Sequence, residues 1–103
     1  MSQDKIKFDL LCILDNNPNA TQREISKQLG VSLGKVNYCL NKLIDKGLIK
    51  ANNFRISSNK RKYYYLLTPK GIEEKINLTF SFLKIKSREF EAIKKEISKL
   101  QEK

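Results

Sequence analysis

The sequence predicts a mainly α-helical fold with one small β-hairpin, in which an N-terminal domain is followed by a long C-terminal helix. Three observations support this prediction. Two short amphipathic segments flank Gly30, an aromatic-rich segment follows at 62–67, and apolar residues then recur every seven positions towards the C-terminus. These patterns are typical of α-helix, β-strand and coiled coil, respectively. We therefore expect one domain at 1–68 and a separate helix at 69–103.

The first helix is expected from Asp4 to about Asn16. Its apolar residues fall on two nearly opposite sides of a helical wheel. One side consists of Ile6, Leu10, Ile13 and Leu14, and the other consists of Phe8, Leu11 and Cys12. A helix that is apolar on two sides is buried between two neighbours. We expect these neighbours to be the next two helices and the C-terminal helix.

The two segments around Gly30 have the capping residues of a helix pair. Thr21 followed by Glu24 forms a capping box that begins one helix, and Ser32 caps the next. Gly30 suits the sharp turn between them, and Gly47 ends the second helix. Two helices joined by a short glycine turn form a helix-turn-helix, whose second helix enters the DNA major groove. A helical hairpin that only packs is the alternative.

A β-hairpin is expected directly after the helix pair. One strand begins at Leu48, turn residues lie at 57–60, and the returning strand covers 62–67. In the returning strand, Tyr63, Tyr65 and Leu67 should share one face. A hairpin in this place is a wing, so the sequence predicts a winged helix-turn-helix domain.

Positive charge is concentrated in the second helix of the pair and in the wing. The whole chain has a formal net charge of +10, and residues 35–62 contain eight basic residues and one acidic residue. A run of charge is often only a solvated surface. Here the run coincides with the two elements that would contact DNA, which favours a nucleic-acid partner. The excess in the C-terminal segment is smaller, so we expect no membrane partner.

The C-terminal segment has the pattern of a helix that pairs with a second helix. Thr68 followed by Pro69 indicates a helix start, and roughly 50 Å of helix would follow. Its heptad positions are occupied by Ile76, Leu83, Phe90 and Ile97, and by Ile72, Thr79, Lys86, Ile93 and Leu100. Such a seam predicts a coiled-coil dimer. Two alternatives stay open: a break near Ser87, or a helix that folds back on its own domain.

Composition argues against an enzyme. The chain has no histidine, no cluster of metal ligands and no phosphate-binding loop, so we expect no catalytic residue, metal or cofactor. Cys12 and Cys39 are not spaced as a CxxC motif and are expected to be buried, reduced thiols. The sequence has neither a signal peptide nor an apolar run of membrane-spanning length, which predicts a cytoplasmic protein.

Over roughly residues 5–102, from the first helix to the long C-terminal helix, the chain resembles the MarR-type winged helix-turn-helix transcription regulators. The resemblance rests on TQREISKQLGVSLGKVNYCLNKLIDKGLI, on the basic hairpin, and on the LTPKG step from Leu67 to Gly71. The small size and the tail SFLKIKSREFEAIKKEI are most similar to the EPS-associated subgroup of that family. The resemblance implies a dimeric transcription regulator. It identifies no operator, no effector and no sign of regulation.

The predicted DNA interface combines three elements. The exposed side of the second helix of the pair offers Ser32, Lys35, Asn37, Tyr38, Asn41 and Lys42. Lys35 and Asn37 lie near the start of this helix and are expected to reach base edges. There, a lysine side chain favours the acceptor atoms of guanine, and an asparagine side chain favours adenine. The start of the preceding helix, where backbone contacts are usual, adds Thr21, Gln22 and Arg23. The wing adds Arg55, Lys60 and Arg61, which would lie along phosphates or in the minor groove.

The predicted partners are double-stranded DNA with a palindromic operator and a second copy of the chain. The expected dimer interface consists of Phe8, Leu11, Ile72, Ile76, Leu83, Phe90, Ile93, Ile97 and Leu100. The sequence therefore predicts a sequence-specific DNA-binding transcription regulator that acts as a homodimer. The alternative is a winged-helix module for protein interaction or assembly, whose basic surface would bind acidic partners.

Overall fold

Residues 3–102, which the computed structural model describes, form four α-helices and one two-stranded hairpin. Within this range the side chains at 54–56, 60 and 61 are outside the description. In chain order the elements are α1 (Gln3–Asn16), α2 (Gln22–Leu29), α3 (Leu33–Asp45), β1 (Ile49–Ser57), β2 (Lys60–Leu67) and α4 (Pro69–Gln101). The predicted fold class, mainly α with a small hairpin and a long C-terminal helix, is confirmed.

The helix boundaries follow from local capping. The hydroxyls of Thr21, Ser32 and Thr68 each accept a hydrogen bond from the backbone N–H three residues further on, over 3.1, 3.1 and 3.0 Å. These bonds satisfy N–H groups that have no partner within the helix. Gly30 (φ +67°) and Gly47 (φ +73°) take the left-handed conformation after α2 and α3. The predicted helix starts and the glycine turn are therefore confirmed.

One hydrophobic core joins α1, α2, α3 and the base of the hairpin. Its largest fully buried side chains are Leu10, Leu11, Leu14, Ile25, Leu40, Leu48 and Val36. Full burial of an aliphatic side chain of this size stabilises the fold by about 1.5–3 kcal/mol. Because α1 supplies three of these side chains, it is the central helix of the domain.

The second apolar side of α1 packs on α4 of the same chain. The rings of Phe8 and Phe82 have their centroids 5.2 Å apart, and Leu11 has no exposed surface. The prediction that Leu11 contributes to a dimer interface is therefore wrong, because its side chain is already enclosed by its own chain. Phe8 is half-buried, and its place in the interface stays a prediction.

Both cysteines are free and half-buried, so neither is as deeply enclosed as the sequence predicts. Burial raises the pKa of the Cys12 thiol. This shift keeps Cys12 protonated and weakly nucleophilic near neutral pH. Cys39 packs at the edge of the hydrophobic core.

The hairpin is antiparallel and slightly longer than the sequence predicts. Ile49 pairs with Leu67 at its base and Arg55 pairs with Arg61 near its tip, with an irregular register between positions 55 and 57. The first strand begins one residue after the predicted Leu48, and the second begins at 60 instead of 62. The turn at 58–59 lies within the predicted turn residues.

The tyrosines of β2 differ in burial because only the base of the strand reaches the core. Tyr65 is 7% exposed, whereas Tyr63, on the same predicted face, is 53% exposed. The backbone N–H of Tyr65 also donates a hydrogen bond to the carbonyl of Pro18 over 3.1 Å. Tyr65 is therefore fixed by both its side chain and its backbone.

The long helix α4 is continuous, and it has no break near Ser87. Gly71 packs so closely on the chain before β1 that an added Cβ atom would lie 1.9 Å from the carbonyl oxygen of Leu48. Any larger residue at this position would push the helix away from the domain. The direction of α4 is thus set within its first turn.

A salt bridge also ties the first half of α4 to α1. Lys75 Nζ lies 2.7 Å from Asp15 Oδ2. Hydrogen bonding to Asp15 raises the pKa of Lys75. Leu78, one turn further along, is buried against the domain.

The second half of α4 extends away from the domain. Every described side chain from Leu83 to Glu102 is exposed, and the molecule measures 72 Å along its longest axis. The alternative in which the helix folds back on its own domain is therefore excluded. Within residues 3–102 no helix combines the length and the apolar character that a membrane span requires.

Candidate nucleic-acid interface

The exposed face of α3 carries an aromatic ring between two ammonium groups. The Nζ atoms of Lys35 and Lys42 lie 5.7 and 5.4 Å from the centroid of the Tyr38 ring. Their spacing of three and four residues puts all three on one side of the helix. The lysines are half-buried and Tyr38 is 52% exposed. This cationic cluster therefore presents two positive charges and an accessible ring to a ligand.

Four side chains from α2, α3 and β2 form a hydrogen-bonded network that ends on α3. Asn41 Nδ2 donates to Asn37 Oδ1 over 3.0 Å. Asn37 Nδ2 donates to Gln22 Oε1 over 3.3 Å, and Gln22 Nε2 donates to the Tyr65 hydroxyl over 3.3 Å. We call Tyr65, Gln22, Asn37 and Asn41 the amide network. It connects β2, through α2, to the exposed face of α3.

Tyr65 is not among the site residues that the sequence predicts. Its hydrogen bond to Gln22 joins residues 43 positions apart, so no local pattern reports it. The four-residue spacing of Asn37 and Asn41 is the one part of the amide network that a helical wheel makes visible. The structure brings three predicted residues together and adds a fourth from the wing.

The start of α2 contributes a second surface beside α3. Thr21 and Ser32 use their hydroxyls as helix caps, and Arg23 is exposed in the first turn of α2. The N-terminal ends of helices carry a partial positive charge. The first turns of α2 and α3 are therefore suited to anionic groups.

The predicted wing residues Arg55, Lys60 and Arg61 belong to the last pairs of the hairpin before its turn. Their side chains are outside the described part of the structure, so their role stays a prediction. Lys50 and Lys62, which the structure does describe, are exposed. The hairpin thus carries accessible positive charge below its tip.

A helix pair with an exposed second helix, followed at once by an antiparallel hairpin, defines a winged helix-turn-helix domain. Residues 3–50 match the family model described as winged helix-turn-helix DNA-binding. That match includes α1, α2, α3 and the beginning of β1. No curated protein sequence matches the chain.

Solved structures of transcription regulators share this fold. A MarR family protein of Mycobacterium tuberculosis, Rv2887, solved with salicylic acid, is 20% identical with a TM-score of 0.64 over 92% of this chain and 75% of that chain. A PadR family transcription regulator of Clostridium difficile is 29% identical with a TM-score of 0.56, and the alignment covers 92% of this chain and 96% of that chain. Streptococcus pneumoniae FabT, solved in complex with DNA, is 26% identical with a TM-score of 0.56, and the alignment covers 95% of this chain and 72% of that chain. Alignments of this extent include much of α4 as well as the winged domain.

Proposed function

We propose that this chain is a sequence-specific, double-stranded DNA-binding transcription regulator that acts as a homodimer. The observation that carries the proposal is the exposed part of α3, which presents the cationic cluster of Lys35, Tyr38 and Lys42 and also the hydrogen-bonded amides of Asn37 and Asn41. Amide and ammonium groups of this kind are the usual readers of base edges. The fold shared with FabT, which is solved with DNA, supports the same function.

In the proposed complex α3 lies in the major groove. Lys35 donates to guanine acceptors, an asparagine amide pairs with adenine, and Tyr38 contacts a thymine methyl group or a phosphate. Backbone contacts come from the start of α2 and from the wing, which position the protein without reading sequence. These contacts are assigned to Thr21, Gln22, Arg23, Arg55, Lys60 and Arg61.

An apolar stripe on α4 supports the homodimer. Ile72, Ile76, Leu83, Phe90 and Ile97 are each between 49% and 60% exposed. Gly71 and Leu78, which are buried, lie on the side of α4 that faces its own domain. The stripe is therefore a separate surface, and soluble proteins rarely leave one of this length in water. We assign residues 1–68 to DNA binding and residues 69–103 to pairing with the same helix of a second copy.

A two-fold dimer leads to a specific operator geometry. Pairing through α4 gives two copies of α3 related by the same axis. Two such helices read half-sites about one helical turn, roughly 34 Å, apart. The operator is therefore a palindrome. The LTPKG step and the tail sequence SFLKIKSREFEAIKKEI favour the small EPS-associated subgroup of MarR regulators within this class.

Selection of bound sequences from a random DNA pool tests the proposal. The expected result is strong enrichment of one palindrome, whose binding weakens steeply as salt is raised because phosphate contacts release counterions. Enrichment of no sequence, together with weak and salt-insensitive binding, would reject the proposal. That outcome would favour a winged-helix module for protein interaction.

A further inference from the structure

We propose that Tyr65 is a positioning residue for base readout, which acts through Gln22 to hold Asn37 and Asn41 in place on the surface of α3. The inference rests on the proposed function, because it concerns how the same surface reads DNA. Tyr65 itself does not contact the bases, since it is almost completely buried at the base of the wing.

The amide network runs from a fixed end to an exposed end. Tyr65 is 7% exposed, pairs with Ala51 in the hairpin, and donates its backbone N–H to Pro18. Asn37 and Asn41, at the other end, are exposed on α3. Gln22, which is half-buried, joins the two ends through its side-chain amide. The exposed amides are thus connected to the part of the wing that packs into the core.

The hydrogen bonds of the network leave Asn37 able to contact a base. An asparagine side chain has two N–H donors and an oxygen with two acceptor sites. Asn37 uses one N–H donor for Gln22 and one acceptor site for Asn41. One N–H donor and one acceptor site therefore remain for DNA. The network therefore restrains the amide without consuming its capacity for readout.

Restraint of this kind strengthens binding to the correct sequence. A free asparagine on a helix surface samples several rotamers, and fixing them on binding costs conformational entropy. A side chain already held by its neighbours loses less conformational entropy on binding. It also has fewer rotamers with which to adapt to a mismatched base. Removing the Tyr65 hydroxyl would take away the acceptor of the Gln22 Nε2 donor, and the loosened Gln22 side chain would hold Asn37 less firmly.

The experiment compares Tyr65→Phe with Tyr63→Phe, a matched change in the same strand at an exposed hydroxyl. For each protein, binding is measured to the selected operator and to a scrambled duplex of the same length. We expect Tyr65→Phe to lower the ratio of the two affinities about threefold to tenfold, which is in the lower part of the range for coupled side chains. Binding to the scrambled duplex should weaken less than binding to the operator, and Tyr63→Phe should keep the wild-type ratio.

A double-mutant cycle with Asn37→Ala separates positioning from a general loss of stability. If Tyr65 acts through Asn37, then adding Tyr65→Phe to Asn37→Ala produces no further loss of the ratio. The inference would be overturned if Tyr65→Phe lowered the affinity ratio equally in the wild-type protein and in Asn37→Ala. It would also be overturned if Tyr65→Phe alone left the affinity ratio unchanged. A wild-type protein that selects no sequence would instead reject the proposed function, and the inference with it. Nuclear magnetic resonance of the side-chain amides adds a readout without DNA: the Asn37 resonances should shift in Tyr65→Phe and stay unchanged in Tyr63→Phe.

Discussion

The ring of Phe8 in α1 lies against the ring of Phe82 in α4, with the centroids 5.2 Å apart and the planes tilted by 42°. This contact closes one side of the hydrophobic core. Together with the buried Leu78 and the salt bridge between Lys75 and Asp15, it holds the first half of α4 against the domain, whereas the second half is exposed. One surface of α4 therefore packs on the hydrophobic core, and another surface of the same helix is exposed.

The contact between the two phenylalanines should be measurable as a coupling energy. In a double-mutant cycle of Phe8→Leu and Phe82→Leu, we expect a coupling of about 0.5–1.5 kcal/mol in the free energy of unfolding, because tilted aromatic pairs interact beyond their buried area. Urea denaturation at one fixed protein concentration measures it. Phe80→Leu is the control partner, since Phe80 is 66% exposed. Additive effects of the Phe8 and Phe82 changes would show that the two rings do not stabilise each other in the folded protein.

The apolar stripe of α4 should control the oligomeric state. Phe90→Asp should convert the dimer into a folded monomer, because it puts a charge into the proposed seam. Ala92→Asp is the matched control, as residue 92 points away from the stripe and is exposed. Sedimentation distinguishes the two states. A wild-type monomer at tens of micromolar, or a dimeric Phe90→Asp protein, would reject this interface.

Shortening the chain should separate folding from dimerisation. Truncation after Lys86 removes Phe90, Ile93, Ile97 and Leu100 but keeps the contacts of Phe82 and Leu78 with the domain. We expect a folded monomer with much weaker operator binding, because the two half-sites are no longer bound by one molecule. Circular dichroism tests the fold and titration with operator DNA tests the binding. A truncated protein that remains a dimer would contradict the prediction.

The wing should contribute affinity without sequence preference. Arg61→Ala should weaken binding to the operator and to random DNA by the same factor, and should lower the slope of log affinity against log salt by about one, since one phosphate contact is lost. Lys99→Ala, an exposed change on α4, is the charge-matched control. A loss confined to the operator would show that Arg61 reads bases instead.

The recognition surface of α3 should contribute sequence preference. Asn37→Ala should cost about 1–3 kcal/mol on the preferred operator and little on random DNA, because it removes an amide that contacts a base edge. Asn77→Ala removes the same amide from an exposed position of α4 and should have no effect. Equal losses on both DNAs for Asn37→Ala would contradict the role of this residue in readout.

The starts and ends of the helices were predictable from the sequence because each depends on residues within one helical turn. Thr21, Ser32 and Thr68 cap helices through bonds to residues three positions away, and Gly30 and Gly47 take conformations that other residues resist. Heptad spacing likewise predicted a long helix after Pro69. Its continuity past Ser87 stayed open, since a serine neither breaks nor requires a helix.

The neighbours of each surface were decided only by the tertiary structure. A helical wheel puts Phe8 and Leu11 on the same side of α1, but it cannot tell whether α4 of the same chain or a second copy covers that side. The structure encloses Leu11 within its own chain and pairs Phe8 with Phe82.

The amide network depends on tertiary structure for the same reason. Residues 43 positions apart meet at Tyr65 and Gln22 only after the base of the wing has packed into the hydrophobic core. Hydrogen bonds of side chains require positions within a few tenths of an ångström, and hydrophobic periodicity specifies only a face. The sequence alone therefore determined which elements form and which of their faces are apolar, basic or polar. The packing of those elements determined which side chains hold one another in place.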